Sequence, residues 1–317
     1  MNLDSIYRAA SVILAVLRKR PLGLCDASDL DGIVCAALFK MRYPRGVVVL
    51  ASPAEVSKSL LIRSVTWTYV ADLPCPGRAY MRADHHATNP PCAVHEFYDP
   101  HAPAAATLAI KALGLEGDSR AEKLVELAVE ADTASIRSKE ALTLSDAVKG
   151  SSYRGKLRLV ELLAFRQLED VLSDEEVRRS AERYSEVRAE TEELAKKLPV
   201  EDELVVFFEK DRGLSYRYLC ILMERRGVKL TAMLVPRGLR HVRAYLGSST
   251  PEYDVSIIAR RLGGGGHAYA AGALVGGATR RRALRRVLRE IASYLGRDAL
   301  KVYVVDDEGL RAVYWRF

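Results

Sequence analysis

Short apolar runs alternate with helix-like segments through the first half of the chain. Residues 22–25, 47–50, 67–71 and 79–81 read as strands, and 33–41, between the first two, has helical composition. Residues 104–113 and 120–131 predict two further helices, the second ending at Asp132. A polar break, Lys149-Gly150-Ser151-Ser152, precedes a long charged helical stretch over 154–197, which Pro199 ends. The alternation then restarts: strand 203–208, helix 216–226, strands 230–235 and 242–246, helix 255–262, a glycine run, and helix 280–295. This pattern predicts an α/β protein with a mostly parallel sheet in an N-terminal domain (1–198, including a helical connector) and a smaller α/β domain (199–317). A site is expected in a cleft between them.

The acidic residues fall just after the predicted strands: Asp26, Asp29 and Asp31 after the first, Asp72 after the third and Asp84 after the fourth. Ligands of open parallel sheets bind outside the carboxyl ends of the strands, so carboxylates distant in sequence are expected to converge there.

Composition narrows the class. The 317 residues exceed what one core usually organises, which favours two domains. The apolar N-terminal stretch is interrupted by Asp4 and Arg8, closed by Arg18, Lys19 and Arg20, and lacks a small-residue cleavage site, so it predicts an amphipathic helix rather than a signal peptide. No apolar run has membrane-spanning length. The five cysteines show no C-x-x-C pair and no framework spacing, which predicts a reducing cytoplasm and no structural zinc. Asn2, Asn89 and Gln167 are the chain's only side-chain amides, a thermophilic pattern. The net charge of +7 is compatible with a polyanionic partner and equally with a solvated basic surface.

Three constellations carry chemistry. In Ser28-Asp29-Leu30-Asp31-Gly32, two carboxylates enter a helix through a tight turn; such a pair suits a hard divalent cation, and taken alone is equally a helix N-cap. Asp84-His85-His86 follows a strand, and two imidazoles beside a carboxylate are natural around a metal. Gly263-Gly264-Gly265-Gly266-His267 lets backbone N–H groups approach an anion, the competing reading being a flexible linker. A basic helix over 280–289 places Arg281, Arg285 and Arg289 at helical spacing, where a solvated face explains them as well as a nucleic-acid track.

The order of these elements (D-x-D-G, the isolated Asp72 after a strand, DHH, Ala131-Asp132-Thr133, GGGGH) resembles the DHH/DHHA1 phosphoesterase superfamily over nearly the whole chain. That superfamily includes RecJ-type exonucleases, nanoRNA- and pAp-degrading enzymes, and cyclic-dinucleotide phosphodiesterases. The resemblance implies that Asp29, Asp31, Asp72, His85 and Asp132 hold one or two Mn²⁺ ions, with Mg²⁺ or Co²⁺ as substitutes. It implies that His86 contacts the scissile phosphate or the leaving oxygen and that Asp84 orients the histidines. Gly264, Gly265, Gly266 and His267 would hold a non-reacting part of the substrate. The chain departs from the pattern at Ala27, where many members carry His, and in 245–248, which lack an expected Arg; Arg243 lies nearby.

The expected activity is Mn²⁺-dependent hydrolysis of short oligonucleotides or single-stranded DNA or RNA. The alternatives are a small-nucleotide phosphoesterase acting on pAp or a cyclic dinucleotide, and a noncatalytic replication or repair partner that has lost metal ligands. Homo-oligomerisation is open on the sequence.

Overall fold

The computed structural model describes residues 3–87, 89–133 and 136–317. The chain forms two compact units, Met1–Ser185 and Glu186–Phe317.

Unit 1 is built on five strands: β1 (Leu22–Asp26), β2 (Val47–Ala51), β3 (Thr66–Ala71), β4 (Arg78–Asp84) and β5 (Ala93–Tyr98). They form an all-parallel sheet in the order β2-β1-β3-β4-β5. Continuous apolar strands such as β1, buried at every position, are what a sheet covered on both faces demands. One face carries α1 (Leu3–Leu17), α3 (Pro53–Lys58) and α4 (Leu60–Ser64), where Val12, Val56 and Ile62 pack with Leu24, Val49 and Trp67. The other face carries α2 (Leu30–Arg42), α5 (Ala106–Ala112), α6 (Ser119–Asp132) and α7 (Lys139–Gly150). There Ile33, Phe39, Leu127 and Leu144 join Cys25, Leu50 and Tyr69 in the larger core.

β1 is followed by strands on both of its sides, and β1/β3 is the point where strand order reverses. Asp26 ends β1, Asp29 and Asp31 follow it, and Asp72 follows β3, so the acidic cluster falls at that crevice.

The connections after β3 and β4, 72–77 and 85–92, are short for parallel neighbours, and their described residues contain no helix. β5 lies outside the predicted strands. These two connections bring Cys75 and Cys92 to a Cα–Cα distance of 5.9 Å, and they form a disulfide. This bridge is a finding of the structure that the cysteine spacing did not predict. Seventeen residues of separation carry no framework signal; the bridge exists because β4 lies between its two flanking connections.

The stretch expected as one long helix is three: α8 (Tyr153–Phe165), α9 (Leu168–Ser173) and α10 (Glu175–Lys197). Arg166 is extended, and the Asp174 carboxylate accepts the backbone N–H groups of Glu176 and Val177, starting a new helix. The division falls inside α10, between Ser185 and Glu186; Leu194, Ala195 and Leu198 pack with Leu204, Phe208 and Leu219 of the same unit.

Unit 2 contains β6 (Glu203–Phe208), α11 (Tyr216–Arg225), β7 (Leu230–Arg237), β8 (His241–Ser248), α12 (Val255–Arg261), β9 (Gly265–His267), β10 (Ala270–Gly276), α13 (Arg280–Leu295), β11 (Ala299–Val305) and β12 (Leu310–Arg316). Its mixed sheet runs β12-β11-β6-β7-β8-β10-β9. The last two strands and the β9–β10 hairpin are additions to the expected pattern. The glycine run is thus partly a strand rather than an open loop. A Cβ at Gly264 would stand 2.1 Å from the Gly272 carbonyl oxygen, and Gly266 has φ +136. Close backbone approach within the hairpin requires glycine at both positions.

Among the described residues no helix is long and apolar enough to cross a membrane.

Candidate metal centre

The turn after β1 is organised by its own carboxylates. Asp26 accepts the backbone N–H and the hydroxyl of Ser28, each at 3.1 Å. Asp29 is the N-cap of α2, accepting the Gly32 N–H at 3.2 Å. The cap reading is therefore correct for Asp29, and its remaining oxygen capacity is compatible with a cation as well. Asp31 reaches across to the start of α5, where the N–H groups of Ala105 and Ala106 donate to its two oxygens at 2.7 and 2.9 Å. Gly32 follows because a Cβ there would stand 2.4 Å from the Asp26 carbonyl oxygen.

Asp72 leaves β3 with φ +56, a left-handed conformation that Asp tolerates better than most residues. That turn aims its side chain into the crevice, where its Oδ1 is buried and accepts no hydrogen bond from any described residue. At the end of β4 the fully buried Asp84 is held by Arg82 at 3.2 Å and Asn89 at 2.8 Å through one oxygen. Its other oxygen accepts from His86 Nδ1 at 3.0 Å. His85 Nδ1 lies 3.0 Å from the Ala102 carbonyl oxygen. A carbonyl only accepts, so this nitrogen carries a proton, and Nε2 faces Asp132, at 3.5 Å, and Asp72, at 3.8 Å.

These side chains form three linked groups, each with potential ligand atoms within 4.8 Å of one another: Asp72, His85 and His86; Asp31, His85 and Asp132; and Asp26, Asp29 and Asp72. Asp72 and His85 each belong to two groups. All five residues expected to hold metal are in the assembly. Asp26, at the position before Ala27, joins them.

Burial and mutual crowding mark the acids. Burial, then the charge of Asp29, pushes Asp26 up to about 7; burial, then Asp29 and Asp132, pushes Asp31 up to about 8. Burial and the Asp31, Asp29 and Asp26 carboxylates also raise Asp72. Burial, then Asp29, raises Asp132. His86 is raised chiefly by its hydrogen bond to Asp84. A buried carboxylate oxygen without a donor is costly. The orphaned Asp72 oxygen and the oxygen-and-imidazole donor set together fit a divalent ion of the Mn²⁺ type.

Three participants had no sequence signal. Lys156 on α8 donates to the Ala27 carbonyl at 2.6 Å; burial lowers its pKa, while the charges of Asp26 and Asp29 oppose that shift. Arg82 is fully buried and pairs with Asp84 and Glu96, and Asn89 completes the Asp84 shell. A lysine in an amphipathic helix or an arginine in a strand carries no mark of such a role. In unit 2, Gly265 and Gly266 lie in β9, the His267 ring stacks on Tyr269 at 5.4 Å, and exposed Arg243 covers the Tyr245 ring at 5.6 Å.

No known family pattern matches the sequence, and no curated protein matches it significantly. Solved structures do. A pGpG-specific phosphodiesterase from Vibrio cholerae superposes with TM-score 0.61 at 18% identity, over 86% of this chain and 99% of that one. A RecJ exonuclease bound to manganese gives 0.59 at 15% identity, over 92% and 94%. The DHH domain of a member of the S1p family of ribosomal proteins gives 0.51 at 15%, over 91% of each chain. The fold of this chain is therefore the one shared by DHH and RecJ-type structures.

Proposed function

We propose that this chain is a Mn²⁺-dependent phosphodiesterase that hydrolyses short oligonucleotides or single-stranded nucleic acid at the Asp/His centre of unit 1. The observation that carries this reading is Asp72. Its buried Oδ1 accepts no hydrogen bond among the described residues and has only the rings of His86, at 3.4 Å, and His85, at 3.8 Å, beside it, and the residue belongs to two of the three ligand groups, as one shared between two cations would. Asp26, Asp29, Asp31, Asp72, His85 and Asp132 would hold the ions. Bound divalent ions supply Lewis-acid polarisation of a phosphoryl oxygen and a nucleophile at neutral pH.

The chain's own groups do the rest. Ala102 fixes the His85 ring so that Nε2 faces the acids. Asp84, itself locked by Arg82 and Asn89, orients His86 and keeps it protonated to higher pH, so that His86 can contact the phosphate and give a proton to the leaving oxygen. Lys156 places a positive charge beside Asp26 and Asp29. Gly264, Gly265, Gly266, His267 and Arg243 are proposed to hold a non-reacting part of the substrate.

The likeness to a pGpG-specific phosphodiesterase supports a second reading, in which the substrate is a dinucleotide. Both are tested by incubating the purified full chain with Mn²⁺ and a ladder of labelled oligonucleotides, pGpG and pAp, with Asp72→Asn in parallel. Hydrolysis that depends on metal and on Asp72 supports the proposal, and the preferred length separates the two readings. No turnover of any substrate in Mn²⁺, Mg²⁺ or Co²⁺ would refute it in favour of a noncatalytic partner.

A further inference from the structure

The apolar stripe of α13 (Ala283, Leu284, Val287, Leu288, Ile291 and Ala292) is buried against the unit 2 sheet, which turns Arg281, Arg282 and Arg285 outward. They face β12, the edge strand of that sheet. β12 pairs with β11 so that Trp315 lies opposite Leu300 and Val313 opposite Val302. Leu300 and Val302 belong to the core under α13, so strand alternation puts Trp315 and Val313 on the helix side. Helix and strand enclose a groove of about 530 Å³, lined by Arg281, Arg282, Arg285, Arg316, Val313 and half-buried Trp315 among others.

The charge in this groove is uncompensated. Elsewhere on unit 2 arginines find carboxylates: Arg217 with Glu224, Arg237 with Asp211, Arg261 with Glu290, Arg297 with Glu203 and Arg311 with Glu209. Among the described residues, none of Arg281, Arg282, Arg285 and Arg316 has an ion pair, and no acidic side chain lines the groove. The three α13 guanidinium groups carry like charge without counter-charge, which a bound polyanion relieves. The aromatic wall selects among polyanions. An indole face in a basic groove offers a stacking platform that an unpaired base can use and that a duplex, polyphosphate or lipid headgroup cannot.

We propose that the α13–β12 groove of unit 2 binds single-stranded nucleic acid, its arginines on successive phosphates and Trp315 against a base. This deepens the phosphodiesterase reading and rests on it for the choice of nucleic acid as the polyanion. The test is binding of a labelled oligothymidylate to the full chain in EDTA, which silences hydrolysis. With three phosphate contacts, log K is expected to fall with log salt at a slope of about −2.1, and Arg281→Gln with Arg285→Gln to reduce it to about −0.7. The chain has two tryptophans, and Trp67 is fully buried, so quenching of tryptophan fluorescence reports Trp315. That quenching is expected on oligonucleotide binding and is expected to vanish in Trp315→Phe. An unchanged salt slope in the double variant, absence of quenching in the parent, or equal binding of a duplex or polyphosphate overturns the proposal. Binding without turnover in Mn²⁺ overturns the activity proposed above and leaves the groove standing; turnover without such binding does the reverse.

Discussion

Removing divalent cations with a chelator leaves Asp26, Asp29, Asp31 and Asp72 sharing one largely buried volume, and protons become the only counter-charge that can enter it. Asp31 is raised from 3.8 to about 8 by burial and by Asp29 and Asp132. Its unfolded counterpart titrates near 4, so from about pH 5.5 to 7 the folded state holds a proton that the unfolded state has lost. A raised carboxylate pKa contributes stability that is present below the unfolded value and lost as pH rises through the folded one. The slope is about −1.4 kcal/mol per pH unit per proton, which gives about 2 kcal/mol across that window from one such group. Asp26, raised to about 7, and His86, raised by Asp84, act in the same direction. Asp254 and Asp306, held low by Ser256 and Arg311, lose their contribution only as pH falls through their lowered values, below this window. The metal-free chain should therefore melt about 4–8 °C higher near pH 5.5 than near pH 7 in the transition that reports unit 1. Added Mn²⁺ should raise that transition more near pH 7, because protons and cations compete for the same oxygens. Differential scanning calorimetry in EDTA and in excess Mn²⁺ at the two pH values measures both effects. A metal-free transition that falls on acidification, or a Mn²⁺ increment equal at both pH values, refutes the idea that these acids form a cation site.

Three substitutions probe the centre more locally. Asp72→Asn keeps a residue tolerant of the left-handed backbone but removes the shared charge; it should lower turnover by roughly 100-fold or more and reduce bound Mn²⁺ by elemental analysis, whereas His267→Ala should leave metal content intact and act mainly on KM. Gly32→Ala gains up to about 1 kcal/mol of helix propensity but places its Cβ 2.4 Å from the Asp26 carbonyl oxygen; a net loss of about 1–3 kcal/mol in urea unfolding, with weaker Mn²⁺ binding, is expected, and a stabilised protein would contradict the packing argument. Arg82→Met strands fully buried Asp84 without its guanidinium and should cost about 3–5 kcal/mol, part of which Asp84→Asn in the same chain should restore; a loss below about 1 kcal/mol would show that Asn89 and His86 suffice.

Much of this protein is legible in one dimension because its chemistry follows its periodicity. Strand runs at 22–25, 47–50, 67–71 and 79–81 are visible as apolar blocks, since a parallel sheet buried on both faces needs them. The acids that follow the first, third and fourth then share one edge because parallel strands all end there. Asp132 was placed by the end of a helical pattern, and α6 delivers it to His85. What the sequence did not carry is whatever depends on a partner far along the chain. Lys156 meets the Ala27 carbonyl across 129 positions, and Asp31 takes the α5 backbone N–H groups across 74 and 75. Cys75 and Cys92 meet only because two short connections flank β4. The basic helix has the same character: its arginines are plain in the sequence, but only the pairing of β11 with β12 sets Trp315 opposite them. Local pattern thus determined the elements and the kinds of ligand at their ends, because those depend on backbone periodicity and side-chain chemistry alone. Tertiary structure decided which groups are buried, paired or left without a counter-charge, because desolvation and Coulomb terms depend on neighbours that the linear order does not specify.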